Sequence, residues 1–294
     1  MRQTVFPEEI LVLDDGSTDE TLSVLESYGP AVRILRQENR GVAAARNTLC
    51  EHATGDLIAF LDHDDIWHPR YLEVQRCLFE IYSEAVAFVT GHIDFRGYGH
   101  YLWNDEPVDL RSKAQVIGPE EFLEKYNATT GHFGSMSFCC IPREVLVRLK
   151  PEPFCVAATG ADDFYLFNTL PLLGPVVYNA VPLVAYRVVS DAQSANRLAI
   201  FRQSVHAFEA LEKSYLEVAG PVLLKKFQLA FASMRRQYAK CLMGAGETGP
   251  AREQLRASLN DSANPGSLAK SLLLLLVTYL PPFGQPAWPS GYRA

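Results

Sequence analysis

The sequence predicts an α/β protein: a mainly parallel sheet with flanking helices, followed by a C-terminal helical appendage. Three observations lead there. Short apolar runs alternate with helix-like segments at roughly 20 to 30 residues, the spacing of βαβ units. Two of those runs end in clustered carboxylates, and ligands of such sheets lie beyond the carboxyl ends of the strands. From about Ser194 onward, strand-like runs give way to four helical segments.

Residues 9–14 (Glu-Ile-Leu-Val-Leu-Asp) read as a buried strand. Asp15 to Glu20 forms a turn, and Ser17 or Thr18 is placed to cap a helix running to about Tyr28. Val32 to Leu35 is a short strand, and Gly41 to His52, rich in Ala, is a helix. Asp56 to Leu61 is a further strand, and Pro69 suits the first turn of the next helix. Ala85 to Gly91 is again strand-like. Beyond it, 196–217, 221–244, 248–260 and 267–280 read as helices separated by Gly- and Pro-containing turns. Ala251 to Leu259 resembles half of a helical-repeat unit, and one unit does not make an array. The expected division is therefore an α/β domain over 1–195 and a helical region over 196–294.

Composition narrows the function. The 294 residues are 48% apolar and 21% charged, ordinary for a soluble globular protein. The net charge of −7 and the lack of a long basic tract argue against bulk attraction to nucleic acid or to an anionic membrane. Six cysteines show no Cys-x-x-Cys spacing, as expected of reduced thiols in a cytoplasmic protein. The N-terminus lacks the apolar core of a signal peptide. Leu272 to Leu280 is too short to span a bilayer, which needs about 20 apolar residues. It leaves open a peripheral contact at the inner face of a membrane.

Four constellations carry chemistry. Leu57 to Trp67 is an apolar strand running into Asp62, Asp64 and Asp65. Alternating side chains let Asp62 and Asp64 point the same way, and Mg²⁺ is typically held by one or two carboxylates plus phosphate oxygens. The plainer reading is a solvated acidic turn. His63 and His68 flank the cluster, but no paired His or Cys spacing supports zinc. Val12 to Asp19 places Asp14 and Asp15 at another strand end, where a carboxylate can meet a base or ribose or merely shape a turn. Asp14-Asp15 and Asp62-Asp64 are expected to face one crevice. Asn39 to Asn47 is a Gly-led helix whose Arg46 can meet a phosphate or lie on a packed Ala-rich surface. Gly160-Ala-Asp162-Asp163 begins a helix, so its acids either complement the helix dipole or supply a general base.

Taken together, in this order and spacing, Ile10–Asp19, Asn39–Asn47, Gly55–Trp67 and Gly160–Asp163 resemble the family 2 glycosyltransferases of the GT-A fold. The likeness covers about residues 3–195. It implies an inverting transferase that moves a sugar from a nucleotide-diphosphate donor, UDP-linked by expectation, to an acceptor hydroxyl. The acceptor would be a glycan, a lipid-linked glycan or a protein, in glycan or cell-surface polysaccharide biosynthesis. The resemblance implies that Asp14 or Asp15 contacts the base and that Asp62 contacts the ribose or nucleotide. It implies that Asp64 binds Mn²⁺ or Mg²⁺ and that Asp163 is the catalytic base. The family usually has Glu-Asp at the last motif; here Asp162 takes the Glu position and leaves Asp163 in register. The family also opens with a strand and helix that this sequence does not show. That strand is expected beside 9–14 and 56–62, and its absence to leave an apolar edge or a gap. Two alternatives remain: a metal-dependent nucleotidyltransferase, although there is no phosphate-binding Gly-x-x-x-x-Gly-Lys motif, and a non-catalytic scaffold on the same fold. Aromatics and histidines between 92 and 140 (His92, Tyr98, His100, Tyr101, Trp103, His132 and Phe133) are expected to wall the acceptor side. Gly131–Ser135 is expected near the donor sugar.

Overall fold

The computed structural model describes residues 2–97, 101, 103, 113–126, 135–150, 152–158, 160–189, 196–262 and 264–279. Its elements begin with β1 (Leu11–Asp14), α1 (Thr21–Glu26), β2 (Arg33–Arg36), α2 (Val42–His52), β3 (Leu57–Ala59) and β4 (Ile66–Trp67). There follow α3 (Tyr71–Ile81), β5 (Ala87–Phe95), β6 (Ala114–Ile117), α4 (Pro119–Glu121), β7 (Cys139–Pro142) and α5 (Arg143–Arg148). The chain continues through α6 (Asp162–Thr169), β8 (Val176–Arg187), α7 (Arg197–Val218), α8 (Pro221–Gly244), α9 (Thr248–Asn260) and α10 (Pro265–Val277).

The α/β class is borne out, but the sheet is mixed rather than mainly parallel. β1 and β2 pair in parallel as a two-stranded sheet of their own. The larger sheet runs β3-β7-β5-β8-β4, and β6 also pairs with β8. Only its β5–β8 ladder is parallel; β3–β7, β5–β7, β4–β8 and β6–β8 are antiparallel. The difference comes from β4, β6 and β7, strands of two to four residues that return along the longer β5 and β8 without a crossover helix. Among the described residues β1 and β3 are not paired to each other, and each has one edge without a ladder. Leu11, Val12, Leu13, Leu57, Ile58 and Ala59 on these strands are only half-buried.

β5 and β8 form the spine. Phe88 and Val89 on β5 and Val177, Leu183 and Val184 on β8 are fully buried among α3, β7 and α6 side chains. The β5–β8 register slips at Gly91, where a Cβ would lie 2.8 Å from the Ala180 carbonyl oxygen. Only glycine allows that approach. A second core joins the C-terminal helices to the sheet domain. Phe164 of α6 packs edge-on against Phe208 of α7, which stacks on Phe231 of α8. The Tyr215 hydroxyl donates to the Asn168 carbonyl across this junction. A third, small core lies between α8, α9 and α10. All six cysteines are free thiols.

Two local expectations change. Neither Ser17 nor Thr18 caps α1; the Ser17 amide donates to Asp14, and the Asp19 carboxylate takes the Thr21 amide at the helix start. Pro69 stands just before α3 rather than in its first turn. Its carbonyl accepts from the Thr4 amide, and Gln3 bonds the His68 carbonyl and the Leu72 amide. The N-terminal residues are thereby tied to the start of α3.

Candidate active site

An arginine organises the acidic groups. Arg46 lies on the second turn of α2, with a side chain 11% exposed. One guanidinium nitrogen is 2.6 Å from Asp62 beyond β3, and the other is 2.7 Å from Asp162 at the first turn of α6. The side chain also passes over the Phe154 ring, 5.7 Å from its centroid. Burial works against its charge, but Asp62, Asp162 and Asp163 together keep it firmly protonated. The next residue fixes the same junction. Asn47 donates to the Phe154 carbonyl and accepts the Phe154 amide, clamping α2 to the chain leading into α6.

Asp163 sits deep among protein atoms while part of its surface stays open to solvent. Burial and the neighbouring Asp162 push its carboxyl up to about 7, against the opposing pull of Arg46 and the Phe164 amide. This is a carboxyl poised to exchange a proton near neutrality. Asp65 is buried and also raised, to about 6, mainly by burial. It takes the Arg187 amide from the end of β8. Asp64 differs from both neighbours. Its backbone carbonyl accepts from the Arg187 side chain, while its half-exposed carboxylate takes no hydrogen bond or ion pair among the described residues.

The turn residues form a separate set at the start of α2. Asp14 is buried, bonded by Ser17 and paired with Arg36 at 3.2 Å. The Ser17 donors hold its carboxyl below the ordinary range. Asp15 accepts from the Gln37 side chain and from the Arg40 and Gly41 amides, tying the strand-end turn to the start of α2. Gly16 makes the tie possible: its φ is +82°, and a Cβ there would lie 2.9 Å from the Asn39 nitrogen.

The structure therefore joins Asp62 and Asp162 directly to Arg46 and sets Asp163, beside Asp162, within reach of its charge. It connects Asp14 and Asp15 to them only through α2. Arg46, expected at a phosphate, has its guanidinium engaged by two carboxylates. Among the described residues no three His, Cys, Asp or Glu side chains gather as a metal-holding set. Of Gly131–Ser135, only Ser135 is described; its hydroxyl donates to Asp62 at 3.1 Å. Ser137 was not singled out in the sequence, and its hydroxyl receives the Asp62 amide. Asn47 and Arg187 were not singled out either. Asn47 closes the Asn39–Asn47 motif with no role of its own, and Arg187 ends a mostly apolar strand. Of the expected acceptor-side residues, Tyr98, His100, His132 and Phe133 lie outside the described residues. His92 stacks on Phe138 at 4.4 Å, and Tyr101 meets Trp103 and Phe95 edge-on, so these rings pack against one another at the end of β5.

A mixed α/β sheet whose strand ends and helix starts bring Asp62, Asp162 and Asp163 around one arginine marks a protein of the GT-A type of fold. The model of the family "Glycosyl transferase family 2" matches residues 1–149, and the chain belongs to that family. It is 46% identical over 173 residues to the UDP-Glc:alpha-D-GlcNAc-diphosphoundecaprenol beta-1,3-glucosyltransferase WfgD of Escherichia coli, covering 58% of this chain and 60% of that one. It is 35% identical over 210 residues to TuaG of Bacillus subtilis, named for teichuronic acid biosynthesis, covering 70% and 77%. Over several relatives, including WfgD, the match spans less than two thirds of their length. In fold the chain is similar to S. aureus TarS in complex with UDP-GlcNAc: TM-score 0.69, 13% identity, 95% of this chain and 82% of that one. It is also similar to the Pyrobaculum calidifontis mannosyltransferase PcManGT in complex with GDP-Man and Mn²⁺, with TM-score 0.54 and 19% identity over 96% and 74%.

Proposed function

We propose that the protein is an inverting glycosyltransferase that moves a sugar from a UDP-linked donor to an acceptor hydroxyl in cell-surface polysaccharide biosynthesis. The observation that carries this reading is Asp163, a carboxyl raised to about 7 next to Asp162 and the Arg46 ion pairs that join α2, the end of β3 and α6. In its ionised form it takes the proton of the attacking hydroxyl as the bond to the anomeric carbon forms on the face opposite the departing diphosphate. Direct displacement of this kind needs no enzyme nucleophile, and the transition state has oxocarbenium character.

The donor nucleotide lies over the turn held by Asp14 and Asp15, with the base against that turn and the ribose toward Asp62. Arg46 holds Asp62 in place, and its guanidinium supplies positive charge to the diphosphate once donor binding loosens either ion pair. Asp64 is suited to hold Mn²⁺ or Mg²⁺: its carboxylate is unpaired and half-exposed, and one such ligand with phosphate oxygens is a usual magnesium arrangement. When bound, the ion supplies charge compensation for the departing diphosphate. WfgD is named for a diphosphoundecaprenol-linked acceptor, which supports a lipid-linked glycan as acceptor here. A cytoplasmic site of action at the inner face of the membrane goes with that acceptor. No described helix is long and apolar enough to cross a membrane.

Calorimetric titration of UDP-sugars with and without Mn²⁺ tests the donor half of the proposal. Metal-dependent binding that weakens at least about tenfold in Asp64→Asn is expected. Binding that ignores both metal and substitution would remove Asp64 from the donor site. Preference for a nucleoside triphosphate would favour a nucleotidyltransferase instead.

A further inference from the structure

Helix α10 is turned inside out. Its inward positions are Ser267, Ser271, Leu274, Leu275 and Thr278, and the three hydroxyl residues among them are buried, Ser271 completely. Its outward positions carry Leu268, Leu272, Leu273, Leu276 and Val277, with Leu273 65% and Leu276 64% exposed. A solvent-facing helix normally shows the opposite pattern. The inward hydroxyls are satisfied internally. Ser258 bonds Ser271, and the Arg236 side chain donates to Ser267 and Ser271. The inward face is therefore a settled polar seam, and the leucine stripe is not a core surface waiting for the rest of this bundle. A contiguous apolar face of this kind on a protein surface marks an interaction site.

The charge around the stripe identifies what it meets. Residues 221–279 carry eight Lys and Arg against three Asp and Glu in a chain of net charge −7. Lys226 and Arg235 of α8 are paired with Glu124, Glu209 and Asp261, and Arg252, Arg256 and Lys270 are the cations beside the stripe. α10 itself has no acid. At 100° per residue Lys270 falls at one border of the leucine stripe, next to Val277. Tyr279, two residues past the helix end, falls just inside the other border, between Leu268 and Leu272. Lys270 is exposed. Arg252 covers the Tyr279 ring at 4.0 Å and bonds Thr278, and Arg256 bonds the Tyr279 hydroxyl. All these acceptors are neutral, and none of the three basic side chains is ion-paired with a carboxylate among the described residues. An apolar stripe bordered by uncompensated cations and an amphipathic tyrosine matches the interface of an anionic bilayer.

We infer that α10 is a membrane-docking helix that lies in the surface of an anionic bilayer, inserting Leu268, Leu272, Leu273 and Leu276 with Lys270, Arg252 and Arg256 at the headgroups. The helix is far shorter than a span. The inference stands on α9, α10 and the two residues that follow it, and holds whether or not the sugar-transfer reading does.

Co-sedimentation of the full chain with vesicles tests it without donor or acceptor. The chain should bind vesicles of phosphatidylcholine doped with phosphatidylglycerol, bind pure phosphatidylcholine more weakly, and lose the difference at high salt. The double variant Leu272→Glu/Leu276→Glu should bind the anionic vesicles at least about tenfold more weakly. Because both side chains are exposed, its thermal unfolding should match that of the parent, which separates lost docking from lost folding. Lys270→Glu/Arg256→Glu should reduce binding to anionic vesicles only. Failure of the parent chain to bind either vesicle, or undiminished binding by the leucine variant, would overturn the inference. So would a parent dimer in sedimentation that the leucine variant converts to monomer, since the stripe would then belong to a second copy.

Discussion

Replacing Arg46 with Ala should be the most damaging single change near the site, and its cost can be worked from the geometry. The substitution strips the partner from Asp162, whose side chain is 3% exposed, and from Asp62, whose side chain is 33% exposed. Removing one partner of a buried pair typically costs about 3–5 kcal/mol, because the remaining charge has no compensation. The Asp62 arm is partly screened by water and adds about 1 kcal/mol or less. The expected loss is dominated by Asp162, and at about 2 °C per kcal/mol for a chain of this size it lowers Tm by roughly 6–10 °C. Thermal and urea unfolding of Arg46→Ala, Asp162→Ala and the double variant would measure the coupling. The double variant should recover roughly 2 kcal/mol or more relative to the summed singles. Arg46→Lys should rescue only part, since an ammonium lacks the two-pronged geometry that reaches both carboxylates. A loss in Arg46→Ala below about 1 kcal/mol with additive singles would refute the claim that this arginine holds α2, the β3 end and α6 together.

Other outcomes follow from the same structure. The Asp163 carboxyl is raised in the fold, so its contribution to stability is fully present below the unfolded carboxyl value near 4 and is lost as pH rises through about 7. Asp163→Asn should therefore unfold at a higher temperature than the parent at pH 8 and at a similar one at pH 4. Asp14 is lowered, so its stabilisation is present above the unfolded value and is lost as pH falls through the folded one. Asp14→Asn should destabilise the chain at pH 7 and progressively less in acid, as followed by circular dichroism. Gly16→Ala forces a side chain into positive φ and against the Asn39 nitrogen, which should cost about 1–3 kcal/mol and weaken donor binding in calorimetry. Chelation with EDTA should abolish sugar transfer and Mn²⁺ should restore it, as read from release of the nucleotide diphosphate.

How much of this was legible in the sequence depended on whether the signal was local. β1, β2, β3 and α2 are coded by short apolar or Ala-rich runs, and their positions were readable to within a few residues. The four C-terminal helices were equally clear, because Pro and Gly punctuate them. β8 went unread although it is the longest strand: Val176–Arg187 contains Asn179, Ala180 and Pro182, which blur any alternation. β4, β6 and β7 exist only because β5 and β8 offer edges to pair with, so their antiparallel pairing is a tertiary effect. At the site, the motifs named Asp62, Asp64 and Asp163. They did not show that Arg46 would face two carboxylates, since the partner at Asp162 lies 116 residues away. Nor did they show that Asp15 would be consumed by the Arg40 and Gly41 amides. For α10 the sequence left a peripheral membrane contact open at Leu272 to Leu280, but the buried serines on the face opposite the leucines come from packing against α8 and α9 and are not legible locally.

The central claim is that Asp163 takes the proton of the acceptor hydroxyl. Measuring turnover and donor affinity side by side in Asp163→Asn tests it most directly. The account predicts turnover lower by about 10²-fold or more, donor Kd unchanged, and loss of the rise in parent activity with pH through about 7. Turnover near that of the parent with the pH profile intact would contradict it.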